Sequence, residues 1–391
     1  MPPSDESNSP GLTFGAPSLG DDEIREVVAC LRSGWIGTGP RVELFERRFA
    51  EYQGVEHAVA VSSCTAALHL SLRSLDLQPG DEVIAPALTY CATINAIVHA
   101  GAVPVLADVD AETMTLDADS VASSISERTR ALLPVHFAGR PAPMAALVAL
   151  AERHGLEIVE DCAHAIETRV GGKVAGTFGR FGCFSFYATK NVTTAEGGMV
   201  VCRSAADAAR IKRSALHGLS QEAWGRHRDA GYQHYEVVEP GFKYNMTDLE
   251  AAVGLPQLAR VDENWERRRT LWRAYMDALR ATPLTLPAEV PADVRHAHHL
   301  FTVLVDEARC GLDRDAFLDE TIARGVGVGV HYRSIPEHRY YRERFGWNVE
   351  DYPNAARIGR QTASLPLGAV MNDADVAAVV ETVAQVLASA R

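Results

Sequence analysis

Lysine is nearly absent from this chain. Of 391 residues, 38 are basic, yet only Lys173, Lys190, Lys212 and Lys243 are lysine; the rest are arginine. A surplus of positive charge is also missing. The formal charge of -13 repels phosphate backbones and anionic lipid, which excludes nucleic acid and membrane surfaces as default partners. The seven cysteines stand singly and in odd number, with no CxxC pair, which excludes a disulfide framework and a zinc site and fits a reducing compartment. No uncharged apolar run reaches the ~18 residues of a membrane span. The opening MPPSDESNSP has neither the basic start nor the apolar core of a signal peptide, so the cytoplasm is the expected location. The scarcity of lysine raises a chemical question. Arginine stays protonated, whereas a desolvated lysine can lose its proton and attack a carbonyl, and Lys190 sits alone in FSFYATKNVTTAEGG.

What is present is a 47% hydrophobic chain, enough for a large core and two domains. Residues 1–12 read as a disordered tail. DDEIREVVACLRSG and RVELFERRFAEY carry helical spacing. From 57 to about 203, short β-rich runs (HAVAVS, DEVIAP, AVPVLAD, RALLPVH, LEIVED, GCFSFYA, GGMVVC) alternate with helical stretches, the pattern of a mostly parallel sheet covered on both faces. Another helix is expected over 204–217, then a long aperiodic loop over 219–241. A long helix follows, N-capped by threonine in MTDLEAA and interrupted by Pro256. The boundaries predicted are 13–255 for a large domain and 256–391 for a smaller α/β domain, with strands in HHLFTVLVD and VGVGVHYR and a terminal helix near 373–389.

In such a sheet, ligands bind beyond the carboxyl ends of the strands, and three groups fall there. Asp161 ends the apolar strand LEIVED, a costly place for an unpaired carboxylate. SSCTAAL offers Ser63 and Thr65 hydroxyls at a helix N-terminus, a ready anion site. Lys190 follows the strand that contains Ser185. Each alone has an ordinary explanation: a helix cap for Asp161, N-capping by Ser63 or Thr65, and solvation for the lysine. Together they describe one ligand, pyridoxal 5'-phosphate (PLP), with an aldehyde for the lysine, a phosphate for the hydroxyls and a basic ring nitrogen for the aspartate. Tyr90 is placed to stack on the ring, or is a core aromatic. His164 reaches the ring hydroxyl, or is structural.

Six blocks occur in the order of a known family: GTGPRVELFERRFAEYQGVEHAVAVSSCTAALHLSL, GDEVIAPALTYCATINAIVHAGAVPVLADVD, VEDCAHAIET, FSFYATKNVTTAEGGMVV, GFKYNMTDLEAAVGLPQL and SLPL. The chain resembles the PLP-dependent nucleotide-sugar aminotransferases of the DegT/StrS family from about residue 12 to its end. The resemblance implies the aspartate aminotransferase-like fold (PLP fold type I) and a homodimer with shared active sites. It makes Lys190 the Schiff-base lysine, Asp161 the partner of the ring nitrogen and His164 the neighbour of the ring hydroxyl. Thr65, Ala66 and Ser185 would hold the phosphate, Tyr90 would stack, and Asn245, with Lys243 as a companion, would serve the neighbouring subunit's phosphate site. No metal is implied. Cys64 departs from the glycine of many members, which puts the turn beside the phosphate in question. The retained lysine favours transamination over sugar deoxygenation. GFKYNMTD, with the segments before it, resembles the branch that forms 4-amino-4-deoxy sugar nucleotides, so the expected reaction moves an amino group from L-glutamate to C4 of a keto sugar nucleotide. Arg226, Arg228 and Arg333 are candidates for gripping the diphosphate or the donor carboxylate. Two rivals stand beside this reading: amination of a keto-cyclitol or another ketone, and a ligand-sensing regulator without catalysis, against which the absence of a basic helix-turn-helix pattern speaks.

Overall fold

A computed structural model describes residues 11–220 and 235–390. Helices α1 (Asp21–Ser33) and α2 (Pro40–Gln53) precede strand β1 (His57–Val61). Strands and helices then alternate: α3 (Cys64–Arg73), β2 (Glu82–Pro86), α4 (Cys91–His99), β3 (Val103–Ala107), α5 (Ala118–Ser124), β4 (Thr129–Leu132), α6 (Met144–His154) and β5 (Glu157–Asp161). The short β6 (Arg169–Val170) and β7 (Lys173–Val174) lead to β8 (Phe181–Ser185), β9 (Gly198–Cys202) and α7 (Ala205–Ala215). The remainder comprises α8 (Asp248–Ala259), α9 (Val261–Leu279), β10 (Val294–Arg295), β11 (Phe301–Leu304), α10 (Glu307–Cys310), α11 (Arg314–Ala323), α12 (Arg339–Phe345), α13 (Pro353–Gln361), β12 (Thr362–Leu365) and α14 (Asp373–Ser389).

The main sheet has seven strands in the order β1-β9-β8-β5-β4-β2-β3. Strand β9 alone runs against its neighbours; the pairs β2–β3, β2–β4, β4–β5 and β5–β8 are parallel. Helices cover both faces, so the central strands are buried on both sides and read as nearly continuous apolar runs. All seven expected strands of the first half form, as does the helix over 204–217.

Local signals set the ends of the elements. The Ser63 hydroxyl accepts from Ala66 N–H at 3.1 Å and starts α3. Thr247 and Glu250 cap each other at the start of α8. The expected long helix is two: α8 contains Pro256 and ends at Arg260, where φ is -105° and ψ 8°, and α9 continues from there. The predicted boundary after residue 255 lies within α8. A second core gathers Leu271 and Tyr275 of α9 with Phe301, Leu365, Phe317 and Val383, and Leu12 packs on it. The segment expected as a tail thus ends on a contact, since Leu12 also bridges Val326 in parallel.

The expected strand VGVGVHYR does not form. Residues 326–333 make only isolated bridges, such as Gly329 to Ser364, while β11 and β12 pair antiparallel beside them. The two glycines of this stretch carry no side chain to pack in a ladder, and the segment runs instead into a ligand-sized cavity. Among the described residues no helix is long and apolar enough to cross a membrane, and none of the seven cysteines is in a disulfide.

Candidate active site

The carboxyl ends of β1, β2, β5 and β8 converge on a cavity of about 460 Å³. Thr65 reaches it from the start of α3, Tyr90 from the loop after β2, Asp161 and His164 from the end of β5, and Ser185 and Lys190 from the end of β8. His299, Tyr332 and Phe14 also line it, and Phe14 and Tyr332 pack against the core of the main sheet. Six of the eight residues singled out from the sequence therefore line one space although they are spread over 126 positions, from 65 to 190.

Asp161 is 5% exposed. One carboxylate oxygen accepts from the Thr93 hydroxyl at 3.0 Å and the other from Ala163 N–H at 3.1 Å. Burial pushes its carboxyl up from the usual range; the two donors and the charge of Lys190 offset this only in part. A carboxylate of this kind gains most from a cation set against its remaining lone pairs. Lys190 is the chemical complement. Its ammonium has no hydrogen-bond or ion-pair partner among the described residues, and burial brings its pKa down to about 8, against the pull of Cys64 and Asp161. At pH 7 most of this amine is still protonated, but the unprotonated, nucleophilic fraction is far larger than for a solvated lysine and becomes the major form above pH 8.

His164 is held from both ring nitrogens. Nδ1 accepts from Ala138 N–H at 3.2 Å and Nε2 meets the Tyr332 hydroxyl at 3.1 Å. Burial, then the charge of Lys190, pushes the imidazole well below its usual range, so it is neutral. With Nδ1 accepting, its one proton lies on Nε2, which donates to the Tyr332 oxygen. Tyr332 and Thr93 are the residues that sequence reading missed. Thr93 had a signal, one helical turn after Tyr90; Tyr332 had only its place near the end of VGVGVHYR, an expected strand.

At the other end of the cavity, α3 presents its N-terminus. Ala66 N–H is used by Ser63, and Ala66, 4% exposed, does not line the cavity. The N–H groups of Cys64 and Thr65 have no acceptor within the helix and, with the Thr65 and Ser185 hydroxyls, are donors that could serve an anion. Cys64 does not disturb the turn: its φ is not positive, and Sγ reaches Cys183 O at 3.5 Å. The close approach needs glycine at position 198, where a Cβ would lie 2.5 Å from the Ser63 backbone. Asn245 lies outside the cavity, donating to the Thr38 hydroxyl at 2.6 Å and accepting from Lys243 at 2.5 Å. Arg333 also lies outside it, 3.8 Å from Glu337; Arg226, Arg228 and most of the 219–241 loop fall outside the described residues.

The model of the DegT/DnrJ/EryC1/StrS aminotransferase family matches residues 17–384. The chain belongs to that family. It is 42% identical over 383 residues to the spore coat polysaccharide biosynthesis protein SpsC of Bacillus subtilis (strain 168), covering 97% of this chain and 98% of that one. Among solved structures it is similar to the putative sugar aminotransferase Spr1654 from Streptococcus pneumoniae in its PMP form, with TM-score 0.91 and 32% identity over 97% of this chain and all of the other. It is also similar to S. venezuelae DesV, with TM-score 0.85 and 35% identity over 93% of each. As a DegT/DnrJ/EryC1/StrS family member the protein is a PLP-dependent sugar aminotransferase with the aspartate aminotransferase-like fold. The cavity fits the coenzyme on its own terms: an uncommitted amine, a buried carboxylate with free lone pairs and a helix N-terminus with free N–H groups surround one space of suitable size.

Proposed function

We propose that this sugar aminotransferase takes the amino group of L-glutamate and delivers it to C4 of a keto sugar nucleotide. The observation that carries the site assignment is that Asp161 and Lys190 open into the same cavity, one as a buried acid and the other as an amine with a pKa of about 8. Bound there, pyridoxal phosphate supplies an aldehyde for the amino group and a ring that withdraws electrons from the amino-acid α carbon. Lys190 is the covalent anchor. Its Nζ would take the proton from the donor's α carbon and give it to the coenzyme carbon that carries the aldehyde, as general base and then acid. Asp161 holds the positive charge on the ring nitrogen. His164, fixed between Ala138 N–H and Tyr332, sets the ring's other edge; Tyr90 covers one face, and Thr65, Ser185 and the first N–H groups of α3 bind the phosphate.

The working unit in this reading is a cytoplasmic homodimer. Asn245, turned away from the cavity of its own chain, serves the phosphate end of the other copy's cavity. An apolar stripe on α1 supports the pairing: Ile24, Val28 and Leu31 follow helical spacing, continue into Trp35 and Ile36, and are exposed.

The test is spectroscopic. The purified protein with pyridoxal phosphate should absorb near ~420 nm and lose that band to ~330 nm with L-glutamate, while Lys190→Ala should do neither. Borohydride should fix the coenzyme on the peptide containing Lys190; coenzyme on another peptide overturns the anchor assignment. A panel of 3-keto and 4-keto sugar nucleotides and keto-cyclitols, scored by return of the first band, decides the acceptor. A band restored only by 3-keto compounds would overturn the C4 assignment and leave the aminotransferase intact.

A further inference from the structure

On the far side of the segment that supplies His299 to the coenzyme cavity lies a second cavity, of about 740 Å³, which the transamination site does not use. Successive residues of this segment face opposite ways: His298 lines the second cavity and His299 the first. The second cavity is unusual for a chain of net charge -13, because five arginines and three carboxylates line it. Arg295 pairs with Asp262 and lies 4.0 Å over the Trp265 ring. Two of the five have no carboxylate partner among the described residues: Arg273 makes no side-chain hydrogen bond or ion pair, and Arg169 reaches the Tyr52 carbonyl at 3.3 Å and lies 5.7 Å over the Tyr52 ring.

A second observation, independent of the arginines, also asks for a ligand. His298 is 6% exposed, its side chain makes no hydrogen bond to the protein, and its Nδ1 is buried without a partner. Nδ1 is enclosed by protein, which leaves Nε2 as the ring nitrogen able to meet a ligand in the cavity that His298 lines. Burial and then the charges of Arg268, Arg269 and Arg273 bring its pKa down to about 3, so the ring is neutral and Nε2 can meet a ligand as a hydrogen-bonding group with no charge of its own. Unpaired guanidinium groups beside a neutral donor match a phosphoryl group, which takes forked N–H pairs and further hydrogen bonds on its remaining oxygens.

We propose that this cavity is a binding site for a phosphoryl anion, with Arg169 and Arg273 as its charged ligands and His298 as a neutral hydrogen-bonding partner. The inference is independent of the acceptor proposed above. Both free pyrophosphate and a nucleoside diphosphate carry the required group.

The test is isothermal titration of the coenzyme-loaded enzyme with pyrophosphate and with a nucleoside diphosphate, comparing Arg273→Gln with Arg339→Gln, a charge removed from a distant exposed position. We expect saturable pyrophosphate binding that Arg273→Gln weakens at least tenfold and Arg339→Gln less than twofold, with the coenzyme absorption band and activity unchanged in both. Equal strength for the two ligands assigns the site to the phosphoryl group alone; tighter binding of the nucleotide, still lost in Arg273→Gln, means that the cavity also reads its base. Absence of saturable pyrophosphate binding to the wild type, or equal weakening by the two substitutions, overturns the proposal. Because Arg273 is exposed and unpartnered, its removal leaves no buried group to destabilise the fold, and melting curves of the variants verify this.

Discussion

Glu160 and Asp161 are neighbours on β5, both buried and both acidic, and they face opposite ways. Glu160, with no exposed surface, is closed: one oxygen accepts from Gly179 N–H at 2.7 Å, the other from Gly176 N–H at 2.8 Å and from His136 at 3.0 Å. His136 Nδ1 accepts from Ala142 N–H, so its proton sits on Nε2 and points at the carboxylate. The group His136, Glu160 and Cys162 is compact enough to suggest a metal site, but the His136 lone pair is already committed and the carboxylate is satisfied by protein donors. Asp161 has two donors and opens onto the cavity. The difference between a structural acid and a functional one is therefore not burial or sequence context. It is whether the protein itself completes the hydrogen bonding.

That contrast can be broken directly. Asp161→Asn should lower kcat by on the order of 10³-fold, because the charge held for the ring nitrogen is lost, while changing the melting temperature little. Glu160→Gln should do the reverse: an amide turned onto glycine N–H donors costs about 2–3 kcal/mol of stability, with kcat nearly kept. If Glu160→Gln were the inactive variant, the division would be wrong.

Lys190 sharpens the comparison on the cavity side, where a charge is buried with no bonded partner. In the coenzyme-free protein its pKa is about 8 instead of 10.5, so burial of the cation opposes folding. Below pH 8 both states are protonated and the cost is full, about 3 kcal/mol at most from the size of the shift. Between pH 8 and 10.5 the unfolded chain holds more protons, so stability rises with pH, and above 10.5 the cost is gone. Lys190→Met should thus stabilise the coenzyme-free protein at pH 7, with the gain fading towards pH 10.5 in denaturant melts. A gain independent of pH would mean that the effect is packing and not charge.

A smaller effect is expected from Tyr332→Phe, which leaves His164 Nε2–H without its acceptor. The loss should be about 1–2 kcal/mol of stability, together with a few-fold fall in kcat and a shifted coenzyme absorption band. An unshifted band would make the tyrosine structural only.

What the sequence disclosed follows from the range of the forces involved. The alternation of short apolar runs and helical stretches foretold the sheet, and the Thr247 cap and the terminal helix were readable because capping and periodicity act within a few residues. That Lys190, Asp161, Tyr90, Ser185, Thr65 and His164 share one cavity was readable because strand ends bring side chains to one edge. Tyr332 was missed because its contact with His164 spans 168 residues and depends on how a late segment of the chain packs back on the core of the main sheet. Ala66 was given to the phosphate although its N–H goes to Ser63: a motif names a turn, but the cap decides which N–H groups stay free. The two acids of LEIVED show the same limit, since period-2 alternation says only that they face opposite ways.

Position 64 carries the finest prediction. The family resemblance sets glycine there, and Cys64 is the departure from that expectation. The residue opens α3 without a positive φ, and its thiol bonds Cys183 O at 3.5 Å while burial pushes its pKa well above the usual thiol range. It is therefore an inert packed group beside Lys190, and the backbone does not depend on glycine. Cys64→Gly should cost at most about 1 kcal/mol, the helix penalty of glycine, and leave coenzyme affinity and kcat within twofold. A marked gain in coenzyme affinity would mean that the thiol crowds the phosphate, and that the anion site of this chain is narrower than its free N–H groups suggest.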